Sequence, residues 1–462
     1  MGIRAVFARS VLLLGLLGIE SPSLQAGPEM PVRMATNNFP TQPLSLADAV
    51  NIALRQSPTI LRAQKDIAVT EGVAIQTKAI AIPRVAVAGN YSRVERSDVD
   101  IISNTNFSFG NDENWSSQIR VVQSLYEGGR IVSALRAARQ SRQQSLLNYQ
   151  TATANVVLDV EIAYYDVLLG EHQINVQEAS VELLGQVLED TKRRYNAGTV
   201  PQFNVLRAEV ELANARPRLI RARNAYRIAK NNLANLLGMD VPRGNPDDIP
   251  LPLSGKLEAL PLDLELPRAL EMALERRTEL GTLRKAQELR HEDVNSARAG
   301  YKPSVQVYAG YDAHNTMLNR DVTDVRNGWI TGVQLTWNIF DGLRTQGRIK
   351  EAQALYERTG IDLDDTTRRI ELEVRTAYSN FREADEVLKS QEKVVEQAQE
   401  AVRLATSRYE AGTGTQLDVL SAQTALTEAR TTQVQALRDY EVARARLERA
   451  VGGRQERESV RQ

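Results

Sequence analysis

Arg194-Tyr195-Asn196-Ala197-Gly198-Thr199 returns 214 residues later as Arg408-Tyr409-Glu410-Ala411-Gly412-Thr413. Between positions 194–216 and 408–430, 12 of 23 residues are identical, so the chain is a tandem duplication. The match extends outward: Leu125-Tyr126-Glu127-Gly128-Gly129-Arg130 answers to Ile339-Phe340-Asp341-Gly342-Leu343-Arg344, and Ala163-Tyr164 to Ala377-Tyr378. Toward the start of each copy the offset becomes 220, pairing Ala49, Ala53, Leu54 and Pro83 with Ala269, Ala273, Leu274 and Pro303. The first copy therefore carries the longer loop between Pro83 and Gly128. A repeat governs the reading of every later motif, because one unit of a repeat need not bury its apolar face by itself.

The 462 residues hold 57 Lys+Arg against 58 Asp+Glu, a balance without the basic excess of a nucleic-acid footprint. Aromatic residues make only 5% of the chain and apolar residues 42%, thin for large globular cores and suited to an elongated, Ala-rich assembly. Cysteine is absent, which removes disulfides, thiolate nucleophiles and a lipid-modified N-terminal Cys. Arg4 and Arg9, the apolar run 11–19 and then Ser21 to Ala26 have the layout of a secretory signal peptide, expected over 1–26 with cleavage after Ala26. The run is shorter than the roughly 20 apolar residues that a spanning anchor needs. No other segment reads as a transmembrane helix.

The expected order is an N-terminal tail over 27–44, a first repeat over 45–238, a Pro-rich connector over 239–264, a second repeat over 265–451 and a C-terminal tail over 452–462. Each repeat opens with a short helix and a second one running into a proline; Ser45 to Asp48 reads as a capping-box-like start, and Ser57-Pro58 as an N-cap followed by Pro at N1. After Pro83 and Pro303 the apolar period changes to two. Strands are expected at about 84–94, 115–126, 304–313 and 329–340, paired into one hairpin per repeat. On one face stand Trp115, Ile119, Val121 and Leu125, and in the second copy Trp329, Val333, Leu335, Trp337 and Ile339. Polar residues occupy the other face.

Residues 130–196 and 344–410 then run without proline for 67 residues each, about 100 Å if helical. From Ala377 through Phe381, Ala384 and Leu388 to Tyr409, apolar positions alternate spacings of four and three, as a heptad seam requires. The returning segment repeats the pattern from Val419 to Ala450, with Ala at 422, 429, 436 and 443, and in the first copy at 208, 215, 222 and 229. Small residues at one heptad position permit close helix approach. Pro217 is expected to kink the first returning helix.

A hairpin with an apolar face, set among very long helices in a secreted chain, points to an outer-membrane barrel, since only closed barrels satisfy strand backbones in lipid. Four strands are fewer than the roughly eight with which such barrels start, so the chain has to oligomerise to close the sheet. Here the residues resemble the bacterial outer-membrane efflux proteins of the TolC type. The resemblance covers about 45–451. It is carried by the two Arg-Tyr-x-Ala-Gly-Thr tips, followed by Asn204-Val205-Leu206 or Asp418-Val419-Leu420, and by the Gly128 and Asp341-Gly342 strand-to-helix steps. It implies an α+β membrane protein: a homotrimer whose twelve strands form one barrel in outer-membrane lipid, continuous with a periplasmic α-helical barrel. It also implies an exit duct docking to a periplasmic adaptor protein and an inner-membrane pump, of the resistance or ABC type, with no cofactor. The outer-membrane channel of a type I protein secretion system is the alternative within transport. A periplasmic coiled-coil scaffold without a pore is the alternative of another class, and the Trp-bearing strands disfavour it.

The resemblance places a periplasmic gate at Tyr195, Asn204, Tyr409 and Asp418. This chain departs from the pattern where Ser421 and Gly414 take the places of a second Asp and a linking Arg, and where Asn204 stands for an expected Asp. Three copies of Asp418 around an axis would attract cations and hold protons more tightly than an isolated Asp; the alternative is a carboxylate favoured by the helix dipole. Adaptor-docking tips are expected at Gly198, Thr199, Val205, Leu206, Gly412, Thr413, Val419 and Leu420, although Gly198 and Gly412 also suit a tight turn needing positive φ. Trp115, Trp329, Val333 and Trp337 are expected to face the membrane. His172, His291 and His314 lack metal-ligand spacing, Asp247-Asp248 and Asp364-Asp365 read as solvated turns or helix starts, and no catalytic constellation is present.

Overall fold

A computed structural model of the chain describes residues 42–93, 113–239, 249–259, 261–315 and 324–453. The expected signal peptide, most of the N-terminal tail, Asp247-Asp248, the strand-connecting loops at 94–112 and 316–323 and the tail beyond 453 lie outside the described residues. In chain order the elements are α1 (Leu46–Gln56), α2 (Pro58–Ala79), β1 (Arg84–Arg93), β2 (Glu113–Glu127), α3 (Arg130–Asn196), α4 (Gln202–Leu236), α5 (Leu266–Arg276), α6 (Thr278–Arg298), β3 (Ser304–Asn315), β4 (Val325–Thr336), α7 (Arg344–Glu410) and α8 (Gln416–Ala450). The chain divides into two compact units. One holds Thr70–Ser141 and Gln287–Arg358, the other Asn37–Val69, Arg142–Ala286 and Thr359–Gln462.

The first unit contains one sheet in the order β1-β2-β3-β4, every pair antiparallel. Val87, Ile119, Tyr311 and Trp329 lie in register across it, and the next such row is Val85, Val121, Ala309 and Thr331. Val85, Val87, Ile119, Tyr311, Trp329, Val333 and Leu335 are all exposed, so the sheet presents an uncovered apolar face. Arg84, Gln118, Arg120, Asp312 and Gln334 fall on the alternate positions, and the Arg120 guanidinium lies 4.2 Å from the centre of the Tyr308 ring. The pairing shifts at Leu125, a bulge between Ser124 and Tyr126.

The last strand and Asp364-Asp365 differ from the sequence reading. The last strand occupies Val325–Thr336 rather than 329–340. Its partner β3 begins at Ser304, opposite Thr336, directly after Pro303, which has no N–H to donate. Trp337 and Ile339 therefore leave the ladder. Asp364 and Asp365 lie inside α7 rather than at a turn, where Asp365 pairs with Arg368 and Arg369 one turn on.

In the second unit the described residues form two larger cores, the first of which also takes in Val442 of the second repeat. Ala49, Ala53 and Ile60 pack with Val160, Tyr164, Leu168 and Leu233, and Ala269, Ala273 and Leu280 with Val374, Phe381, Tyr440 and Leu447. The expected seam is observed: Phe381, Leu388, Val395, Val419, Ala429, Ala436, Tyr440, Leu447 and Ala450 are buried. Burying one such Leu or Phe contributes about 1.5–3 kcal/mol. Ser45 caps α1 by accepting from the Asp48 N–H at 3.2 Å. Helix α4 is unbroken at Pro217. The connector holds Leu44: its N–H donates to Pro252 O at 2.8 Å, and the buried Tyr164 hydroxyl donates to Leu44 O at 2.9 Å while accepting from Gly255 N at 3.0 Å.

Candidate functional site

The two helix reversals are built alike up to the turn and differently after it. Gly198 and Gly412 take φ values of 75° and 74°, the left-handed region in which a helix ends on glycine. In the first tip Gly198 N donates to Tyr195 O at 2.8 Å and Thr199 N to Arg194 O at 3.0 Å; in the second the matching bonds run from Gly412 N to Tyr409 O at 3.1 Å and from Thr413 N to Arg408 O at 2.9 Å. The Thr199 and Thr413 hydroxyls close the same carbonyls, at 2.9 and 3.2 Å. This explains the Gly-Thr pair in both copies.

Beyond the turn the copies part. Thr415 caps α8 through a reciprocal capping box: Asp418 N donates to Thr415 Oγ1 at 3.2 Å, and Asp418 Oδ2 accepts from Thr415 N at 2.9 Å and from Thr415 Oγ1 at 2.8 Å. In α4 the cap position is Pro201, without a side-chain bond. The Thr415 backbone and hydroxyl bonds hold the Asp418 carboxyl below the usual carboxylate range, with the Arg408 charge adding to them. Within one chain the direction is thus opposite to the tighter proton binding expected of a ring, and the helix-start reading describes Asp418 directly.

The two tips also touch. The Arg194 guanidinium, held by Asp190 at 3.1 Å, lies 5.0 Å from the centre of the Tyr409 ring, and buried Gln416 donates through Nε2 to Thr191 Oγ1 at 2.9 Å. Neither Arg194 nor Gln416 is among the expected site residues. The signal available was their place one turn from each reversal. Tyr195 and Asp418 are exposed, whereas Asn204 and Tyr409 are half-buried. Of the expected docking residues, Gly198, Thr199, Leu206, Gly412 and Thr413 are exposed, but Val205, Val419 and Leu420 are buried. They sit on the inward stripe of their helices; Val205, for instance, packs with Leu188 and Ala208.

On the sheet, Trp329 is 80% exposed and meets Tyr311 edge-on with ring centres 5.4 Å apart. Val333 is exposed, Trp115 is half-buried, and Trp337 follows β4, its indole N–H donating to Tyr301 O at 3.1 Å. His291 stacks edge-on to Tyr356 and His314 meets Asp312 at 2.9 Å; no group among the described residues could hold a metal ion.

Solved structures share this fold. VceC from Vibrio cholerae matches with a TM-score of 0.74 at 20% identity, covering 88% of this chain and 96% of that one. CusC matches at 0.75 and 17% identity, covering 88% and 92%. VceC is an outer membrane protein, and CusC forms a transmembrane channel. The family model for outer membrane efflux proteins matches residues 49–239 and 269–453, and the chain belongs to that family. Relatives include outer membrane protein TolC of Vibrio cholerae, 25% identical over 414 residues with 88% of this chain and 90% of the relative covered. The alkaline protease secretion protein AprF of Pseudomonas aeruginosa is 25% identical over 416 residues, covering 87% and 83%. The cobalt-zinc-cadmium resistance protein CzcC of Cupriavidus metallidurans is 25% identical over 414 residues, covering 89% and 90%. The protein is therefore an outer-membrane channel protein that extends into the periplasm, and it is not an enzyme.

Proposed function

We propose that three copies of this chain close a twelve-stranded barrel in outer-membrane lipid, continuous with a helical barrel, and serve as the exit duct of a tripartite efflux pump. The observation that carries this reading is the four-stranded sheet, whose apolar face is exposed and whose outer strands β1 and β4 each have one edge unpaired among the described residues. Such edges in lipid demand partners, and further copies supply them. The helix reversals at Gly198 and Gly412 dock a helical hairpin of a periplasmic adaptor through the exposed Gly-Thr turns and Leu206, and the adaptor joins the duct to an inner-membrane pump. Tyr195, Asn204, Tyr409 and Asp418 form the periplasmic gate. Trp115, Trp329, Val333 and Trp337 face lipid or its headgroup boundary.

A second reading, the outer-membrane channel of a type I secretion system, is favoured by the likeness to AprF at the same 25% identity as CzcC. Deleting the gene separates the two: heightened sensitivity to toxic solutes supports efflux, and loss of a secreted protein supports secretion. For the tips, Gly198→Val with Gly412→Val is expected to abolish export while trimer and membrane insertion persist. Loss of insertion instead would confine these glycines to a structural role.

A further inference from the structure

The polar face of the sheet carries more positive charge than it balances. Register puts Arg84 of β1, Arg120 and Glu127 of β2, Asp312 of β3 and Arg326 of β4 on this one face: Arg84 and Tyr308 both stand opposite Val122, Glu127 opposite Ser304, and Arg326 opposite His314. Both carboxylates are engaged, Glu127 accepting from Arg130 Nε at 2.9 Å and Asp312 meeting His314 at 2.9 Å. Arg84, Arg120 and Arg326 have no carboxylate partner among the described residues. On the other face the charges cancel, since Arg93 lies 3.8 Å from Glu113. Arg84 and Arg326 are exposed. Arg120 is held in a different way: its guanidinium lies 4.2 Å from the centre of the Tyr308 ring, and its Nε is buried without a hydrogen-bond partner. Gly332, directly opposite Tyr308, makes room for that ring, because a Cβ there would stand 2.6 Å from the Tyr308 hydroxyl. A ring face positions a guanidinium without neutralising it.

We propose that Arg84, Arg120 and Arg326 bias the lumen of the barrel toward anionic solutes, with Tyr308 positioning Arg120 against the wall. The proposal rests on the closed-barrel reading above, in which the polar face lines the lumen, and deepens it by naming the class of solute that the wall favours. Unbalanced charge of one sign on the wall of an enclosed passage concentrates ions of the other sign, and rings of Arg or Lys are the means by which pores select anions. Arg84 and Arg120 lie on neighbouring strands near the end of the sheet where the helices join, whereas Arg326 lies near its far end, beside the loop over 316–323. A solute crossing the sheet therefore meets positive charge at both ends. Screening limits the reach of these charges to about 30 Å at about 0.01 M salt and about 3 Å at about 1 M, so the bias belongs to low ionic strength.

Full-length protein in planar bilayers, under a potassium chloride gradient at low salt, reports the ratio of chloride to potassium permeability through its reversal potential. Combining Arg84→Gln, Arg120→Gln and Arg326→Gln is expected to lower that ratio several-fold at low salt and to leave it nearly unchanged at high salt, while Arg84→Lys, Arg120→Lys and Arg326→Lys together preserve it. Arg84→Gln or Arg326→Gln alone, at exposed positions, should give part of the shift and serves if the triple variant does not assemble. Arg93→Gln removes the same charge from the other face and should leave the ratio as it was. For trimers that carry no current, the chain's lack of cysteine supplies a second readout: Ala86→Cys, opposite Arg120, should react faster with an anionic than with a cationic methanethiosulfonate reagent, and the Gln variants should erase that preference. A ratio or preference that the Gln variants do not move, or that Arg93→Gln moves equally, overturns the bias and leaves the barrel standing. Particles that are monomers by light scattering overturn the closed barrel and the bias with it.

Discussion

At the scale of single residues, the chain places reciprocal bonding where the helices reverse and charge where the repeats close. Thr415 satisfies the first turn of α8, whereas Pro201 leaves that of α4 without a side-chain cap. Thr415→Ala is expected to destabilise the start of α8 by about 1 kcal/mol, and hydrogen exchange should then be as fast there as in the first turn of α4. Unchanged protection of α8 would refute the cap. The Thr-x-x-Asp pattern that announces this box is legible in sequence, and a carboxylate at a helix start was one of the two sequence readings of Asp418, beside the ring. Arg277 was not legible, because Glu373, the partner it holds with two bonds, lies 96 residues further on. Buried in the second unit, it holds Glu373 with two bonds of 2.9 Å and Glu279 with one of 3.0 Å, while Arg449 holds Glu279 at 2.7 Å. Burial alone would raise the Glu279 carboxyl, but the hydrogen bond and charge of Arg449, with the Arg277 charge beside it, hold it below the usual range. A carboxylate lowered by folding contributes stability that is complete above its unfolded value, about 4.3, and lost as pH falls through the lowered one. The apparent melting temperature should accordingly fall in that acid range, and Glu279→Gln should flatten the fall while lowering the plateau. An acid limb identical in Glu279→Gln would remove this residue from the account.

At the scale of elements, heptad spacing made the long helices legible, since burial in a coiled coil follows the sequence period directly. What the period cannot reveal is how near two backbones come. A Cβ on Gly170 of α3 would stand 3.0 Å from the Tyr226 Cα of α4, while one on Gly185 meets nothing within 4 Å. Intrinsic propensity favours Ala over Gly inside a helix by about 0.5–1 kcal/mol, and both sites lie in one helix. Gly185→Ala should therefore raise the melting temperature slightly, whereas Gly170→Leu should lower it through overpacking worth about 1–3 kcal/mol. Equal shifts would show that the two helices yield at Gly170. Strand ends proved harder to read than helices. The alternation of apolar residues continues to Ile339, but a strand ends where its partner does, and Pro303 together with an open edge decided that at Thr336.

At the scale of the whole molecule, the duplication and the strand alternation disclosed a sheet with one exposed apolar face, and no described helix is long and apolar enough to cross a membrane. If the exposed face of the sheet meets lipid, Val333→Arg should cost about 2–4 kcal/mol near the bilayer midplane, whereas Gln334→Arg on the opposite face should be tolerated. Membrane fractionation and trimer yield compare the two, and equal insertion would reverse the face assignment. The bonds across the repeats also set a timetable. Trp115 N donates to the side chain of Asn315, two hundred residues further on, and Leu44 is held by backbone that begins to arrive only at Pro252. Contacts so distant along the chain form late in folding. The four-stranded sheet therefore cannot be complete while the second repeat is still being delivered, and in the barrel proposed above its apolar face would meet lipid only when the chain is nearly finished.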